Sequence, residues 1–200
     1  MFVITVDQVD SRSTPDAVAS QLGTLNASLG ERLLLPPERT AGDEFQLLLG
    51  DADATLGAVL ELTRSGLWSV GCGVGSVREP LPTSIREAAG EAFLGARDAV
   101  DRAKKRPSRF ALAATAAPDQ AGRLEALIDL LLVTRARRSA EGWELHDLLT
   151  AGLTQAAAAA RLGITPQAAS LRAQAADLKT EAAVTGALAT LLAQLDEEAG

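Results

Sequence analysis

Apolar residues fall in short runs over the first half of the chain and at helical spacing over the second. Phe2-Val3-Ile4-Thr5-Val6 reads as a buried strand that runs into a polar turn, Asp7 to Ser13. Thr14 and Pro15 suit the cap and first position of a helix. Ala17, Leu22, Leu25 and Leu29 then keep near-helical spacing up to Gly30. Residues 32–35 predict a short strand stopped by Pro36-Pro37, and 44–49 the strand that pairs back on it. A helix over 52–65 precedes Gly66, and 67–77 is strand-like around Gly71-Cys72-Gly73-Val74-Gly75. Glycine inside a strand weakens it unless another backbone or a ligand must come close. The order strand, helix, strand, strand, helix, strand is the split pattern of ferredoxin-like folds, with both helices on one face of the sheet. A further helix over roughly 85–106 and a strand over 109–115 extend it. From Pro118 onward the pattern is helical throughout. The expected class is α+β: a ferredoxin-like (βαββαβ) domain over residues 1–117, then an all-α domain over 118–200.

Within the helical part, residues 153–178 read as a helix-turn-helix. Ala159 is small enough for a helix crossing, Gly163 permits a tight turn, and Ile164 would plug the core beneath it. Thr165 caps the second helix and Pro166 takes its first position. If that helix enters a major groove, its polar residues are Thr165, Gln167, Ser170 and Arg172. Gln can pair with adenine, and Arg with guanine or phosphate. Two packed alanine-rich helices would give a similar pattern. Val184, Leu188, Leu191, Leu192 and Leu195 line one side of a last helix, suited equally to dimerisation or to packing within the chain.

Composition narrows the partners. The 200 residues are 47% hydrophobic and 22% charged, with a net charge of −7. That balance argues against a protein that coats nucleic acid non-specifically. Over 139–200, Arg161, Arg172 and Lys179 face eight acids. Arg102, Lys104, Lys105, Arg106 and Arg109, and then Arg135, Arg137 and Arg138, are the basic clusters where phosphates are first sought. No run reaches the ~18 to 20 apolar residues of a membrane span, and no secretory signal pattern is visible. Cys72 is the single cysteine. An internal disulfide is therefore excluded, and a cytoplasmic location with no membrane partner is expected.

Candidate chemistry centres on Gly42-Asp43-Glu44-Phe45-Gln46. Two acids head an apolar run there, and Asp7 ends another. If both runs are strands of one sheet, Asp7 and Asp43 meet at its rim with Glu44 beside them. Such oxygen ligands suit Mg²⁺ (or Mn²⁺) held together with nucleotide phosphates. Gly42 would let backbone approach a ligand. Ordinary solvated turn acids are the alternative. His146 has no Cys or His near it in sequence, so neither a histidine metal site nor a nucleophile–base pair can be built around it.

The opening strand running into Asp7-Gln8-Val9-Asp10-Ser11-Arg12, the Gly42–Gln46 motif, Gly71–Gly75 and Ala96-Arg97 together resemble the SatD family of small bacterial proteins. Members of that family often add a C-terminal helix-turn-helix. A more distant resemblance is to the catalytic palm of GGDEF-type nucleotidyl cyclases. It implies a palm domain in which Asp7 and Asp43 hold divalent ions and Lys104 binds phosphate; Ser11, Arg12 and Gly42 are the further candidates for the nucleotide side. The chain departs from that palm at Ala41, which replaces the first signature glycine, and at Pro107-Ser108-Arg109, where Gly-Arg-Asn is absent. Three functions follow as expectations. The first is a homodimeric DNA-binding regulator whose palm senses a nucleotide with a metal. The others are a metal-dependent nucleotidyl transferase or cyclase, and a palm reduced to a scaffold.

Overall fold

Alternation along β1 (Phe2–Gln8) decides which side of the sheet each side chain joins. Phe2, Ile4 and Val6 enter the larger core, whereas Val3 enters a separate one and Thr5 and Asp7 follow it on that second face. In the computed structural model, which describes residues 1–200, the remaining strands are β2 (Leu33–Ala41), β3 (Glu44–Leu49), β4 (Trp68–Val74) and β5 (Phe110–Ala114). They form one five-stranded mixed sheet in the order β2-β3-β1-β4-β5. β1 pairs antiparallel with β3 and β4, and β5 runs parallel to β4. The helices are α1 (Val18–Leu29), α2 (Ala52–Leu62), α3 (Glu91–Ala103), α4 (Pro118–Ala136), α5 (Ala140–Thr150), α6 (Gln155–Leu162), α7 (Pro166–Ala175) and α8 (Leu178–Ala199). The fold class is α+β.

The larger core takes Val18 and Leu25 from α1 and Leu56 and Leu62 from α2, so both helices lie on one face. α3 covers the other. It seats so closely that a Cβ on Gly71 would lie 2.1 Å from Val100 N, and one on Gly73 2.0 Å from Ala92 O. The glycines of β4 therefore admit a backbone. Alanines 92, 96, 99 and 103 of α3 are all buried against that face.

Three elements and the unit boundary differ from the sequence expectation. α1 begins at Val18 instead of Thr14-Pro15. The buried Gln8 side chain donates to Thr14 Oγ1 (2.9 Å) and Pro15 O (2.8 Å) and accepts from Ala17 N (3.0 Å), which holds the segment out of a helix. β2 continues through Pro36-Pro37 because it is the outer strand, and its register slips between Leu35 and Glu38. Proline is tolerated in a sheet at such edges and irregularities. The helix expected from residue 85 is split into a 3₁₀ turn, Ile85–Glu87, and α3. Gly90 breaks it at φ 153°, where a Cβ would fall 2.4 Å from Ser76 O. Finally, the compact units are Met1–Leu132 with Leu188–Gly200, and Val133–Ala187, so neither boundary falls at 117. Leu124, Ile128 and Leu131 of α4, with Leu188, Leu192 and Leu195 of α8, belong to the sheet core. Those three leucines of α8 are used within the chain, whereas Val184 and Leu191 stay exposed.

The helical unit, Val133–Ala187, packs α5, α6 and α7 against one another. Thr154 Oγ1 caps α6 by accepting from Ala157 N, and Thr165 Oγ1 caps α7 by accepting from Ala168 N. Gly163 makes the turn between them in the left-handed region, φ 66°. Ala158, Ala159 and Ala169 are buried where the helices meet, while Ile164 is only half-buried. No helix is long and apolar enough to cross a membrane.

Candidate functional site

Polar residues interrupt the second face of the sheet at one end of β1 and β3. Thr5 stands opposite Gln46, and Asp7 opposite Glu44. Opposed residues of an antiparallel pair share a face, and Gln46 Nε2 donates to Thr5 Oγ1 at 3.1 Å. Asp7 and Glu44 are thus neighbours across the strand pair. The middle of α3 and the residue that follows its end each give a cation: Arg97 pairs with Glu44, and Lys104 Nζ lies 2.9 Å from Asp7 Oδ2. Thr40 Oγ1 donates to the second Glu44 oxygen at 2.8 Å. Positions 97, 101 and 104 follow helical spacing along one side of α3, and Asp101 adds a carboxylate 3.5 Å from Lys104. Partial burial opposes the charge of Lys104, yet Asp7 and Asp101 hold its pKa above the ordinary lysine value.

The residues anticipated from sequence are distributed unevenly around this group. Glu44, not Asp43, takes the position facing Asp7. Asp43 lies in the turn before β3, where its carbonyl accepts from Gln8 N at 3.3 Å. Gly42 serves that turn with φ 53°, and its carbonyl accepts from Arg39 Nη1 at 2.9 Å. Arg39 also holds Asp16 through both oxygens, at 2.7 and 2.5 Å, which braces the turn. Ser11 and Arg12 lie in the turn after β1, Ser11 half-buried and Arg12 exposed. Arg97, Thr40, Thr5 and Gln46 join the group without having been singled out as a site. For Thr5 and Gln46 the signal was present, as polar residues at alternate positions of strands that are otherwise apolar.

No three carboxylate, imidazole or thiol groups converge on one point. A divalent ion would have to take Asp7 and Glu44 from Lys104 and Arg97. The residues fit a cation that arrives with phosphates, which give the two side chains new partners, better than a bare cation.

The basic clusters are largely committed elsewhere. Arg102 and Arg106 both pair with Glu125, and Arg106 also with Asp129. Glu125 Oε2 accepts from Leu112 N at 2.7 Å, and Arg102 Nη2 donates to Leu112 O at 2.7 Å. The pair thereby occupies the free backbone edge of β5, which would otherwise offer itself to another strand. Burial opposes ionisation of Glu125, but the Leu112 N–H, Arg102 and Arg106 bring its carboxyl below the usual carboxylate value. A groove of about 440 Å³ between α3, β5 and the start of α4 has this Arg102–Glu125 pair in its wall. In the helical unit, Arg135 and Arg138 both pair with buried Glu181, and both guanidinium groups lie over Trp143, at 4.8 and 4.3 Å.

On α7, Thr165, Gln167 and Ser170 are exposed. Arg172 is turned toward α5, with Nη1 3.4 Å from both Glu144 Oε2 and Glu141 O. Measured over the observed units, charge is divided: Val133–Ala187 carries six Lys and Arg against five acids, and the remainder thirteen against twenty-one. No family model, curated protein or solved structure matches this chain.

Proposed function

We propose that the protein is a DNA-binding regulator of the cytoplasm, with α6 and α7 as a helix-turn-helix and the sheet unit as its ligand-sensing part. The observation that carries this reading is the three-helix packing of α5, α6 and α7, with both helices of the motif capped by threonine around Gly163. The exposed outer side of α7 and the positive balance of its unit support it. Specific duplex binding by one small module is weak, so two copies on a two-fold site are part of the reading. Leu127, Leu130 and Leu191 are exposed leucines of α4 and α8 where a second copy is to be sought.

The strand order and the two helices on one face support a ferredoxin-like palm for the sheet unit. Its ligand is a nucleotide with Mg²⁺ or Mn²⁺, contacting Asp7 and Glu44 through the metal and Lys104 and Arg97 through phosphate. A ligand of this kind transmits a signal only by binding one state of the protein better than another. The opposed acids beside Lys104 favour, as a second reading, metal-dependent nucleotidyl transfer, in which two ions stabilise the attacking and leaving oxygens.

Two experiments test the proposal. Mg²⁺ with a purine triphosphate raises the melting temperature, neither component alone does so, and Asp7→Asn with Glu44→Gln abolishes the shift. Silence across a nucleotide panel removes both the sensor and the transferase. Separately, the full chain retards duplexes recovered from a random pool, and Gln167→Ala weakens retention; a chain that recovers no duplex removes the DNA-binding reading. Pyrophosphate release from a triphosphate would raise the second reading above the first.

A further inference from the structure

The outward side of α7 has a chemistry of its own. Its inward positions are Ala169 and Ala176, both buried, with Arg172 and Ala173 half-buried beside them. Gln167, Ser170, Leu171 and Gln174 form the opposite stripe, all exposed. Leu171 stands out at 67% exposure, one helical turn after Gln167. The stripe carries no charged side chain. The one cation of α7, Arg172, is engaged with Glu144 and the Glu141 carbonyl on α5.

Each base pair shows a different edge in the major groove. Guanine is read most often by the two parallel donors of an arginine, or by lysine, and this stripe offers neither. Glutamine matches adenine, giving a donor to N7 and an acceptor to N6. An apolar side chain matches the 5-methyl group of thymine, which no other base carries there. Gln167 and Leu171 lie four residues apart on one side of the helix, so they can address neighbouring base pairs. The exposed cations of the unit, Arg137, Arg161 and Lys179, lie outside α7 and are suited to phosphates, which position without specifying sequence.

We infer that α7 reads A·T base pairs, with Leu171 packed on a thymine methyl and Gln167 on an adjacent adenine. This rests on the DNA-binding reading above and adds the class of sequence recognised. Leu171 is then a specificity residue, and its exposure in the free protein is that of a contact awaiting its partner.

The experiment is selection of duplexes from a random pool by the full chain, followed by titration of the selected duplex with thymines replaced by uracil. The selected core is rich in A·T pairs. Uracil at the contacted position lowers affinity about fourfold, the value of one buried methyl group. Leu171→Ala binds the thymine duplex more weakly and no longer distinguishes it from the uracil duplex. Its circular dichroism and melting are those of wild type, because Leu171 supports no core. A selected core of G·C pairs, or equal affinity of the wild type for thymine and uracil duplexes, overturns the inference while leaving DNA binding in place. Recovery of no duplex overturns both.

Discussion

The sheet unit and the helical unit both gather charge, but they place it differently with respect to water. At the rim of the sheet, Lys104 is 37% exposed beside Asp7, itself 19% exposed, whereas Arg97 is exposed but its partner Glu44 is buried and keeps Thr40 as a second partner. In the helical unit, Glu181 is 9% exposed and Arg138 only 2%. An exposed cation can leave its carboxylate for a phosphate at little cost, since water takes up what the pair gives back. A buried one cannot, because the charge left behind has no solvent. Carboxylate–cation pairs therefore make an exchangeable contact at Asp7 and a fixed tie at Glu181. The tie joins the end of α4 to the start of α8, with Trp143 of α5 beneath both guanidinium groups.

The largest effect expected from this contrast is at Glu181. Glu181→Ala leaves Arg135 and Arg138 buried without their carboxylate, a change that costs about 3–5 kcal/mol. Hydrogen exchange in α5, α6 and α7 should accelerate accordingly, while β1 and β4 keep their protection. A loss below about 1 kcal/mol would mean that solvent reaches the cluster and that the contrast is false.

A smaller effect is expected at the rim. Asp7→Asn and Lys104→Met should each change stability by about 1 kcal/mol or less, and a double-mutant cycle should give a coupling within the same range. Both should nonetheless remove the melting shift caused by Mg²⁺ with a triphosphate. A coupling above about 2 kcal/mol, with the ligand response intact, would make the Asp7–Lys104 pair a structural tie like that of Glu181.

Legibility in the sequence follows the same division between local and non-local causes. The strand at Phe2–Val6, the cap at Thr165 and the turn at Gly163 depend on near neighbours, and all were readable as pattern. The continuation of β2 through Pro36-Pro37 depends on that strand lying outermost, which no local pattern states. The late start of α1 depends on where the Gln8 side chain reaches. At Gly71 and Gly73 the pattern left another backbone and a ligand equally open; the seat of α3 decides for the backbone. At the candidate site, Asp7 was legible as the end of a strand. Which of the two acids, Asp43 or Glu44, stands opposite Asp7 was not legible, because register across a hairpin turns on the conformation of Gly42 and Asp43; the strand pairing puts Glu44 there. The basic clusters were legible as charge but not as commitments, since Glu125 and Glu181 lie far along the chain from Arg102 and Arg135.

The smallest effect concerns His146, and its sign separates two forces within the buried cluster. The ring lies 3.2 Å from Asp147 and 3.8 Å from Glu181, which favour its protonated form. Burial disfavours that form, as do Arg135 and Arg138, and the net result holds its pKa below the ordinary value of 6.5. A group whose pKa is lowered by folding binds its proton more readily in the unfolded chain. Stability from His146 is therefore fully present above 6.5 and declines as pH falls through the folded value. Melting of the helical unit followed by Trp143 fluorescence, with Trp68→Phe to silence the second indole, should decline on acidification. His146→Gln should flatten that decline. The opposite slope, with stability gained on acidification and lost in His146→Gln, would mean that Glu181 retains enough unshared charge to hold a protonated imidazole, and that the two arginines do not neutralise it.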